Sequence, residues 1–218
     1  MANPDPEKTR SRHLRITAPS PWVSRFTPLV PKDGPSGGEI LDLAAGGGRH
    51  ARYFHNLGHP VTAIDRDVSS LADFAARDGV RIIEADLESG AGVFADGAQG
   101  RGVLSGRTFA GVVVVNYLFR PLMDDIIGAL EPGGVLIYET FARGNEDFVR
   151  PRNPDHLLKS GELLALARGR LQVIAYEHGI ITAADIEGVK QRLCAVNDLS
   201  ASTRDDGDPA AHPVTPAS

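Results

Sequence analysis

Residues 40–51 read ILDLAAGGGRHA, and this stretch decides how the rest of the chain is interpreted. An apolar run containing Asp42 is followed by three consecutive glycines, Gly46 to Gly48, and then by residues that suit a helix. Glycine reaches positive φ angles cheaply and lets a ligand approach the backbone closely. The free N–H groups at the start of the helix attract electron-rich ligand atoms. The stretch therefore predicts a strand, a tight turn and a helix that together bind a nucleotide-like cofactor.

The composition predicts one soluble folded domain in the cytoplasm. The chain has 218 residues, of which 42% are hydrophobic and 23% are charged. Its net charge of −5 provides no basic field that would attract nucleic acid or an anionic membrane. The longest aliphatic run, 112–115, is far too short to cross a bilayer, and the N-terminus has no apolar segment of a secretory signal. The single cysteine, Cys194, excludes an internal disulfide and fits a reducing compartment.

Strand-like and helix-like segments alternate along the chain. This alternation predicts a Rossmann-like α/β fold with a doubly wound, mostly parallel sheet of seven strands. The expected strands cover 39–45, 61–65, 81–86, 111–117, 135–141, 171–176 and 190–196. No convincing helix separates the last two, so we expect an antiparallel hairpin at one sheet edge with a loop of about 12 residues.

The expected helices are marked by caps and breakers. They are Arg49–Leu57 stopped by Gly58, a helix capped by Asp67 with Val68, Leu71 and Phe74 on one face, a helix starting at Pro121 with Leu122, Ile126 and Leu130 on one face, and a helix capped by Ser160. The glycine-rich segment 88–108 lacks periodicity, and we interpret it as an excursion that replaces the helix after the third strand. We expect a flexible N-terminal arm over 1–20, a folded domain over 21–199 and a disordered tail over 200–218.

Two cofactor classes compete for the glycine turn. Gly46, Gly48 and Ala51 satisfy the dinucleotide pattern G-x-G-x-x-[GA], and Asp65 ends a strand at the position of a ribose-binding acid, so an NAD(P)-dependent oxidoreductase is possible. Asp42 favours a different cofactor, because a carboxylate is unfavourable beside a pyrophosphate and favourable beside an ammonium or sulfonium group. S-adenosylmethionine carries both of those cations and no phosphate. The residues therefore favour S-adenosylmethionine over NAD.

Five motifs in order resemble those of class I S-adenosylmethionine-dependent methyltransferases. The first, LDLAAGGGRHA, has Ala44 in place of a glycine that the family often has, and the others are VTAID, IIEADL, VVVVNYL and LEPGGVLIYE. The resemblance covers residues 37–142, and the small tellurite-resistance-like methyltransferases look closest because of the compact G-x-G-R start of their helix. The fourth expected strand, 111–117, leads into Asn-Tyr-Leu-Phe at 116–119 rather than [DNS]-P-P-[FYW], which argues against N-methylation of a nucleobase.

The resemblance implies an enzyme that transfers a methyl group from S-adenosylmethionine to a small-molecule acceptor. It implies that Asp42, Gly46 and Gly48 hold the methionine end of the cofactor, that Asp65 binds the ribose and that Asp86 binds the adenine. The full set of candidate cofactor-binding residues is Asp42, Ala44, Gly46, Gly48, Asp65, Arg66, Asp86, Leu87 and Asn116.

Candidates for chemistry and acceptor binding follow the carboxyl ends of the strands, where an open parallel sheet places its ligands. The catalytic candidates are Tyr117, Arg120 and His156. The arginine-rich segment 142–159 predicts a substrate loop, with a solvated loop as the alternative. An anionic acceptor would be bound by candidates from the set Arg49, Arg120, Arg143, Arg150 and Arg152.

Two other functions remain open from the sequence. One is the NAD(P)-dependent oxidoreductase, and the other is a non-catalytic cofactor- or RNA-binding module that uses the basic N-terminal arm, which the acidic overall balance disfavours. No metal site is expected, because His55 and His59 are separated by a helix end and lack cysteine or acidic partners. The motifs indicate the methyl donor and leave the acceptor and the oligomeric state open.

Overall fold

The computed structural model describes residues 16–89, 92–97, 100–183, 186–202 and 204–214. Its strands are β1 (Ile40–Leu43), β2 (Val61–Asp65), β3 (Val80–Glu84), β4 (Asp96–Gly97), β5 (Gly100–Arg101), β6 (Phe109–Val115), β7 (Leu130–Phe141), β8 (Gln172–Ala183) and β9 (Ile186–Val196). Its helices are α1 (Pro21–Phe26), α2 (Arg49–Asn56), α3 (Met123–Gly128) and α4 (Glu162–Ala167). Short 3-10 turns lie at Thr27–Leu29, Ser69–Leu71, Arg120–Leu122, Asn145–Asp147, Pro154–His156 and Leu199–Ala201.

Seven strands form one sheet in the order β3-β2-β1-β6-β7-β9-β8. The first five strands in this order run parallel to one another, and β9 pairs antiparallel with both β7 and β8. The predicted fold class is therefore confirmed, including the antiparallel pair at one edge. Because the order reverses between β1 and β6, the carboxyl ends of these two strands border a crevice, where ligands of such sheets bind.

Helices cover both faces of the sheet, as a parallel sheet requires. On one face, Trp22 of α1 and Phe54 of α2 pack in a cluster with Ile40 and Val113. On the other face, Met123 and Ile126 of α3 and Leu163 of α4 pack in a cluster with Leu41, Tyr138 and Leu193. Every residue of β6 is buried, which explains its run of four valines at 112–115.

The helix predicted after Asp67 is wrong. Asp67 accepts the N–H of Ser69 at 3.2 Å, as a capping residue would, but only the 3-10 turn Ser69–Leu71 follows. Leu71 and Phe74 are both fully buried. Their spacing of three residues is satisfied by a 3-10 turn, in which side chains three apart are aligned, so the packing does not require an α-helix.

Two further boundaries differ from the expectations. Ser160 does not cap α4, because Gly161 occupies the N-cap position with a φ of 72° and no side-chain cap forms. Leu130 does not belong to the helix predicted from Pro121; it begins β7 and pairs with Phe109. The chain therefore changes from α3 to β7 earlier than the spacing of Leu122, Ile126 and Leu130 predicts.

The loop predicted between the last two strands is wrong. The strands β8 and β9 pair continuously from Gln172↔Val196 to Ala183↔Ile186, apart from one register shift, and residues 184–185 lie outside the described residues. The extra strand residues include Glu177, His178 and Glu187, whose polar side chains conceal the strands in the sequence.

The described parts of both termini and of segment 88–108 contact the domain. Ser20 is buried and donates its N–H to His50 Nε2 at 3.2 Å, and the tail accepts bonds from Arg25 at Val214 and from Gln172 at Ala210. Residues of the expected arm and tail within 16–20 and 204–214 therefore contact the folded domain, while 1–15, 203 and 215–218 lie outside the described residues. In 88–108, the strands β4 and β5 form a small antiparallel pair, and Val93 and Leu104 enter the core.

None of the helices in the described ranges has the length and apolar character needed to span a membrane.

Candidate cofactor and acceptor site

The glycine turn after β1 uses left-handed backbone at three positions. Ala44, Gly46 and Gly48 have φ angles of 57°, 54° and 71°. A Cβ added at Gly48 would lie 2.2 Å from Leu71 Cδ2, whereas a Cβ at Gly46 would meet nothing within 4 Å. Packing against Leu71 therefore requires glycine at position 48. Gly46 borders open space that a ligand can enter. Ala44 keeps its methyl group at the cost of a left-handed conformation.

The side chains of Asp42 and Asp65 both accept hydrogen bonds from backbone N–H groups at or directly after this turn. Asp42 is buried and accepts the N–H of Ala51 in the first turn of α2 at 2.9 Å. Asp65, at the end of β2, accepts the N–H of Gly46 at 2.8 Å and the N–H of Asp67 at 3.1 Å. The two acidic residues predicted from the motifs are therefore joined to the glycine turn and to the helix that follows it.

Asp42 makes stability depend on pH. Burial raises the pKa of Asp42 from 3.8 to about 7, although the Ala51 N–H and Arg49 oppose the shift. The native state therefore keeps a proton that the unfolded chain releases, and the contribution of Asp42 to stability falls as the pH rises towards 7. When the pH is raised from about 5 to about 8, the unfolding free energy of Asp42→Asn should increase by ~3 kcal/mol relative to that of the wild type. Urea unfolding at both pH values tests this, and a constant difference would contradict a neutral buried carboxyl group.

A cavity of about 440 Å³ opens beside the turn, at the carboxyl ends of the strands. It brings together five of the candidate cofactor-binding residues and two of the catalytic candidates. Its lining residues are Ala44, Asp65, Arg66, Asp86, Leu87, Glu88, Tyr117 and His156. Glu88 was not among the predicted residues, although it follows the third motif by one position.

Tyr117 places an unused hydrogen-bonding group at this cavity. Its carbonyl oxygen accepts the hydroxyl of Tyr138 at 3.1 Å, which fixes the backbone after β6. Burial raises the pKa of the Tyr117 hydroxyl, and the carboxylates of Glu88, Asp86 and Asp65 raise it further. Among the described residues, this hydroxyl makes no well-formed hydrogen bond. It remains protonated and can donate to a ligand that carries acceptor atoms, such as an adenosine.

Arg120 and His156, the other two catalytic candidates, lie in different surroundings. Arg120 donates to both carboxylate oxygens of Glu162, at 2.7 and 3.0 Å, and to the carbonyl oxygens of Asp155 and Leu157, at 2.7 and 2.9 Å. These bonds tie the 142–159 segment to α4, so Arg120 is not offered to an anionic acceptor. His156 lies beside Asp86 and Glu88 in the cavity, which is the end predicted for adenine.

The arginines of the 142–159 segment lie at the surface. Arg143, Arg150 and Arg152 are all exposed, and Arg143 pairs with Glu146. Arg49 differs from them, because it is partly buried and interacts electrostatically with Glu139 and Asp42. Of the arginines proposed from the sequence, Arg49 therefore lies nearest the buried charges at the mouth of the sheet.

A buried ion network at the ends of β6, β7 and β9 was missed by the sequence analysis. Lys190 Nζ lies 2.7 Å from Asn116 Oδ1 and 3.0 Å from Glu139 Oε1, and Arg192 Nε lies 3.1 Å from Glu139 Oε2. Burial alone would raise the pKa of Glu139, but Lys190 and Arg192 together lower it below its ordinary value. One signal was present: two cations alternate along a strand that otherwise reads as buried, and such cations need a buried anion.

Comparisons with known proteins bear on the fold. No protein-family model matches the sequence, and no curated protein matches it. The solved structure of TehB from Haemophilus influenzae matches with a TM-score of 0.57 at 16% identity, over 73% of this chain, and the chain spans only 57% of that protein's length. The N-methyltransferase NodS from Bradyrhizobium japonicum WM9 matches with a TM-score of 0.54 at 16% identity, over 89% of this chain and 98% of NodS.

A third solved structure contains S-adenosylhomocysteine. It is the 1,6-didemethyltoxoflavin-N1-methyltransferase from Burkholderia thailandensis with S-adenosylhomocysteine bound, and it matches with a TM-score of 0.53 at 19% identity, over 73% of this chain and 71% of that protein. The chain has the class I methyltransferase fold. In this methyltransferase fold, the cavity lies at the carboxyl ends of the strands, beside the point where the strand order reverses.

Proposed function

We propose that this chain is an S-adenosylmethionine-dependent methyltransferase that acts on a small-molecule acceptor, and that the acceptor is anionic. The observation that carries the proposal is the cavity beside the glycine turn. Within a class I methyltransferase fold, it gathers Ala44, Asp65, Asp86 and Leu87, the residues that the motifs assign to the cofactor. Neighbours in fold that act as methyltransferases, one of them with S-adenosylhomocysteine bound, add support.

The local chemistry fits S-adenosylmethionine better than NAD. Three carboxylates, Asp65, Asp86 and Glu88, line the cavity against one arginine, Arg66. These carboxylates line the ribose and adenine end, which both cofactors share. Asp42, at the glycine turn, is the carboxyl group that would lie beside a pyrophosphate in NAD and beside the ammonium and sulfonium groups in S-adenosylmethionine. Gly46 leaves open space for the ligand, and the Tyr117 hydroxyl makes no well-formed hydrogen bond among the described residues.

The proposed roles follow from position. Asp65 would bind the ribose hydroxyls while it holds Gly46, and Leu87 would pack against the adenine beside Asp86. Asp42, below the turn, would face the methionine end with Gly46 and Gly48. When bound, the cofactor would supply an electrophilic methyl group. The protein's own task is then to align the acceptor with that methyl group and to exclude water.

The anionic acceptor is proposed from the cations near the methyl-transfer end. Arg49 is partly buried there, and Arg143, Arg150 and Arg152 belong to the exposed 142–159 segment. Arg120 anchors this segment to α4 through Glu162. We therefore propose that 142–159 bounds the acceptor site and that Arg120 supports the loop rather than binding the acceptor.

The cofactor assignment is tested by Asp65→Asn. We expect this change to weaken S-adenosylhomocysteine binding by about 10- to 100-fold, because hydrogen bonds to a charged carboxylate contribute about 1.5–3 kcal/mol each. The amide oxygen can still accept the N–H of Gly46, whereas the N–H of Asp67 loses its acceptor. Isothermal titration gives the affinities, with Asp33→Asn as a matched change at an exposed residue. Equal affinities in the wild type and Asp65→Asn would contradict the ribose assignment.

A further inference from the structure

Lys190 is a buried cation that touches the end of β6. Its side chain is 6% exposed, and its ammonium group contacts Asn116 Oδ1 at 2.7 Å and Glu139 Oε1 at 3.0 Å. The ammonium group also lies 4.9 Å from the centre of the Phe141 ring. Asn116 is the residue directly after β6, with a φ of 58°, and it precedes Tyr117, which lines the cavity.

The chemistry of Lys190 fixes which atom of Asn116 is left for a ligand. An ammonium group has three donors and no acceptor, so the amide atom that faces it must be the oxygen. The oxygen of Asn116 is therefore occupied, and its Nδ2 donors remain. No described residue accepts a hydrogen bond from Nδ2, and Asn116 is only partly buried. The side chain thus offers a hydrogen-bond donor to a ligand.

The charges around this pair also favour an anion. Arg49, Lys190 and Arg192 all interact electrostatically with Glu139, and Arg192 also pairs with Glu177 at 3.3 Å. The nearby His50 is neutral, because burial, together with the charges of Arg49 and Lys190, lowers its pKa to about 3. Asp42 is partly protonated near neutral pH for the reason given above. Among the buried side chains of this group, Lys190 and Arg192 therefore face one ionised carboxylate, because the Glu177 side chain is 42% exposed.

We propose that Lys190 is a positioning residue that turns the Asn116 amide donors towards the methyl-transfer site, so that the acceptor group placed there is an oxygen anion, such as a carboxylate, and not an amine. The proposal rests on the proposed function. In the transfer, a lone pair of the acceptor oxygen forms the new C–O bond as the C–S bond breaks, and the sulfur keeps the bonding electron pair. No proton has to be removed, because the oxygen is already anionic, whereas a protonated amine would first need a base.

The test uses two small probes, acetate and methylammonium, that do not depend on the identity of the natural acceptor. Each is titrated into the isotope-labelled protein, with and without saturating S-adenosylhomocysteine, and the Asn116 Nδ2 resonances are followed by NMR. Asn116→Asp assigns these resonances by their loss. We expect acetate to shift them with a Kd at least tenfold lower than that of methylammonium. Asn56, exposed at the end of α2, is the internal control and should not respond.

Variants of Lys190 test the positioning role. Lys190→Met should raise the acetate Kd at least tenfold, whereas Lys190→Arg, which keeps donors for the amide oxygen, should stay within about threefold of the wild type. Equal shifts with both probes, or no acetate response at Asn116, would overturn the proposal, and these readings come from the wild type even where a variant does not fold. If S-adenosylhomocysteine fails to bind while acetate shifts Asn116, the proposed function fails and the anion site stands.

Discussion

Alanine at Gly48 is expected to destabilise the protein by about 3 kcal/mol, because a left-handed conformation and an overpacked contact each cost about 1–3 kcal/mol. Gly48 has a φ of 71°, and its new methyl group would lie 2.2 Å from Leu71 Cδ2. Leu71 is fully buried, so its side chain has little room to move. Chemical denaturation of the two proteins measures the difference.

Gly46 offers a matched control for this change. Its φ of 54° is also left-handed, but a methyl group there would meet nothing within 4 Å. Gly46→Ala should therefore cost only about 1 kcal/mol of stability. It should instead weaken S-adenosylhomocysteine binding, because the methyl group fills the space proposed for the ligand. Equal losses of stability in the two variants would show that packing against Leu71 does not distinguish these glycines.

Removal of Glu139 is the second change with a large expected effect. Its side chain is 3% exposed and pairs with Lys190 at 3.0 Å and with Arg192 at 3.1 Å. Glu139→Ala would leave both cations buried without their anion, and breaking a buried pair in this way costs about 3–5 kcal/mol. For a protein of this size, that loss lowers the Tm by roughly 10 °C, which calorimetry would detect.

The control for Glu139 lies in the same network. Glu177 contacts Arg192 at 3.3 Å, but its side chain is 42% exposed. Glu177→Ala should change stability by less than about 1 kcal/mol, since exposed ion pairs contribute little. If Glu139→Ala were as mild as Glu177→Ala, the network at the sheet mouth would not be a stabilising feature of the fold.

The parallel part of the sheet was predictable because its strands are continuous apolar runs. The bounds of β2, Val61–Asp65, agree with those predicted, and the core of β6 was identified from its run of valines. The pair β8 and β9 was predicted too short, because polar side chains at the exposed edge and in the ion network interrupt the apolar pattern. The helix after Asp67 failed for the opposite reason: its apolar spacing was equally compatible with a 3-10 turn.

The cofactor end of the candidate site was also more predictable than the acceptor end. Asp42, Gly46 and Asp65 belong to local motifs, so their positions at the glycine turn could be predicted from neighbouring residues. Lys190 contacts Glu139, which lies 51 residues away in the sequence, and Asn116, which lies 74 residues away. No local pattern encodes the contact with Glu139, because it depends on the antiparallel register of β9 against β7. The predicted set therefore lacked Lys190, which contacts the Asn116 amide oxygen.

The most direct measurement of the central claim is a calorimetric titration of the wild-type protein with S-adenosylhomocysteine and, separately, with NAD. The glycine turn with Asp42 beside it predicts a Kd for S-adenosylhomocysteine in the micromolar range or below, and NAD binding that is weaker by at least about 100-fold, since the pyrophosphate of NAD would lie beside Asp42. Tight NAD binding without S-adenosylhomocysteine binding would contradict the account.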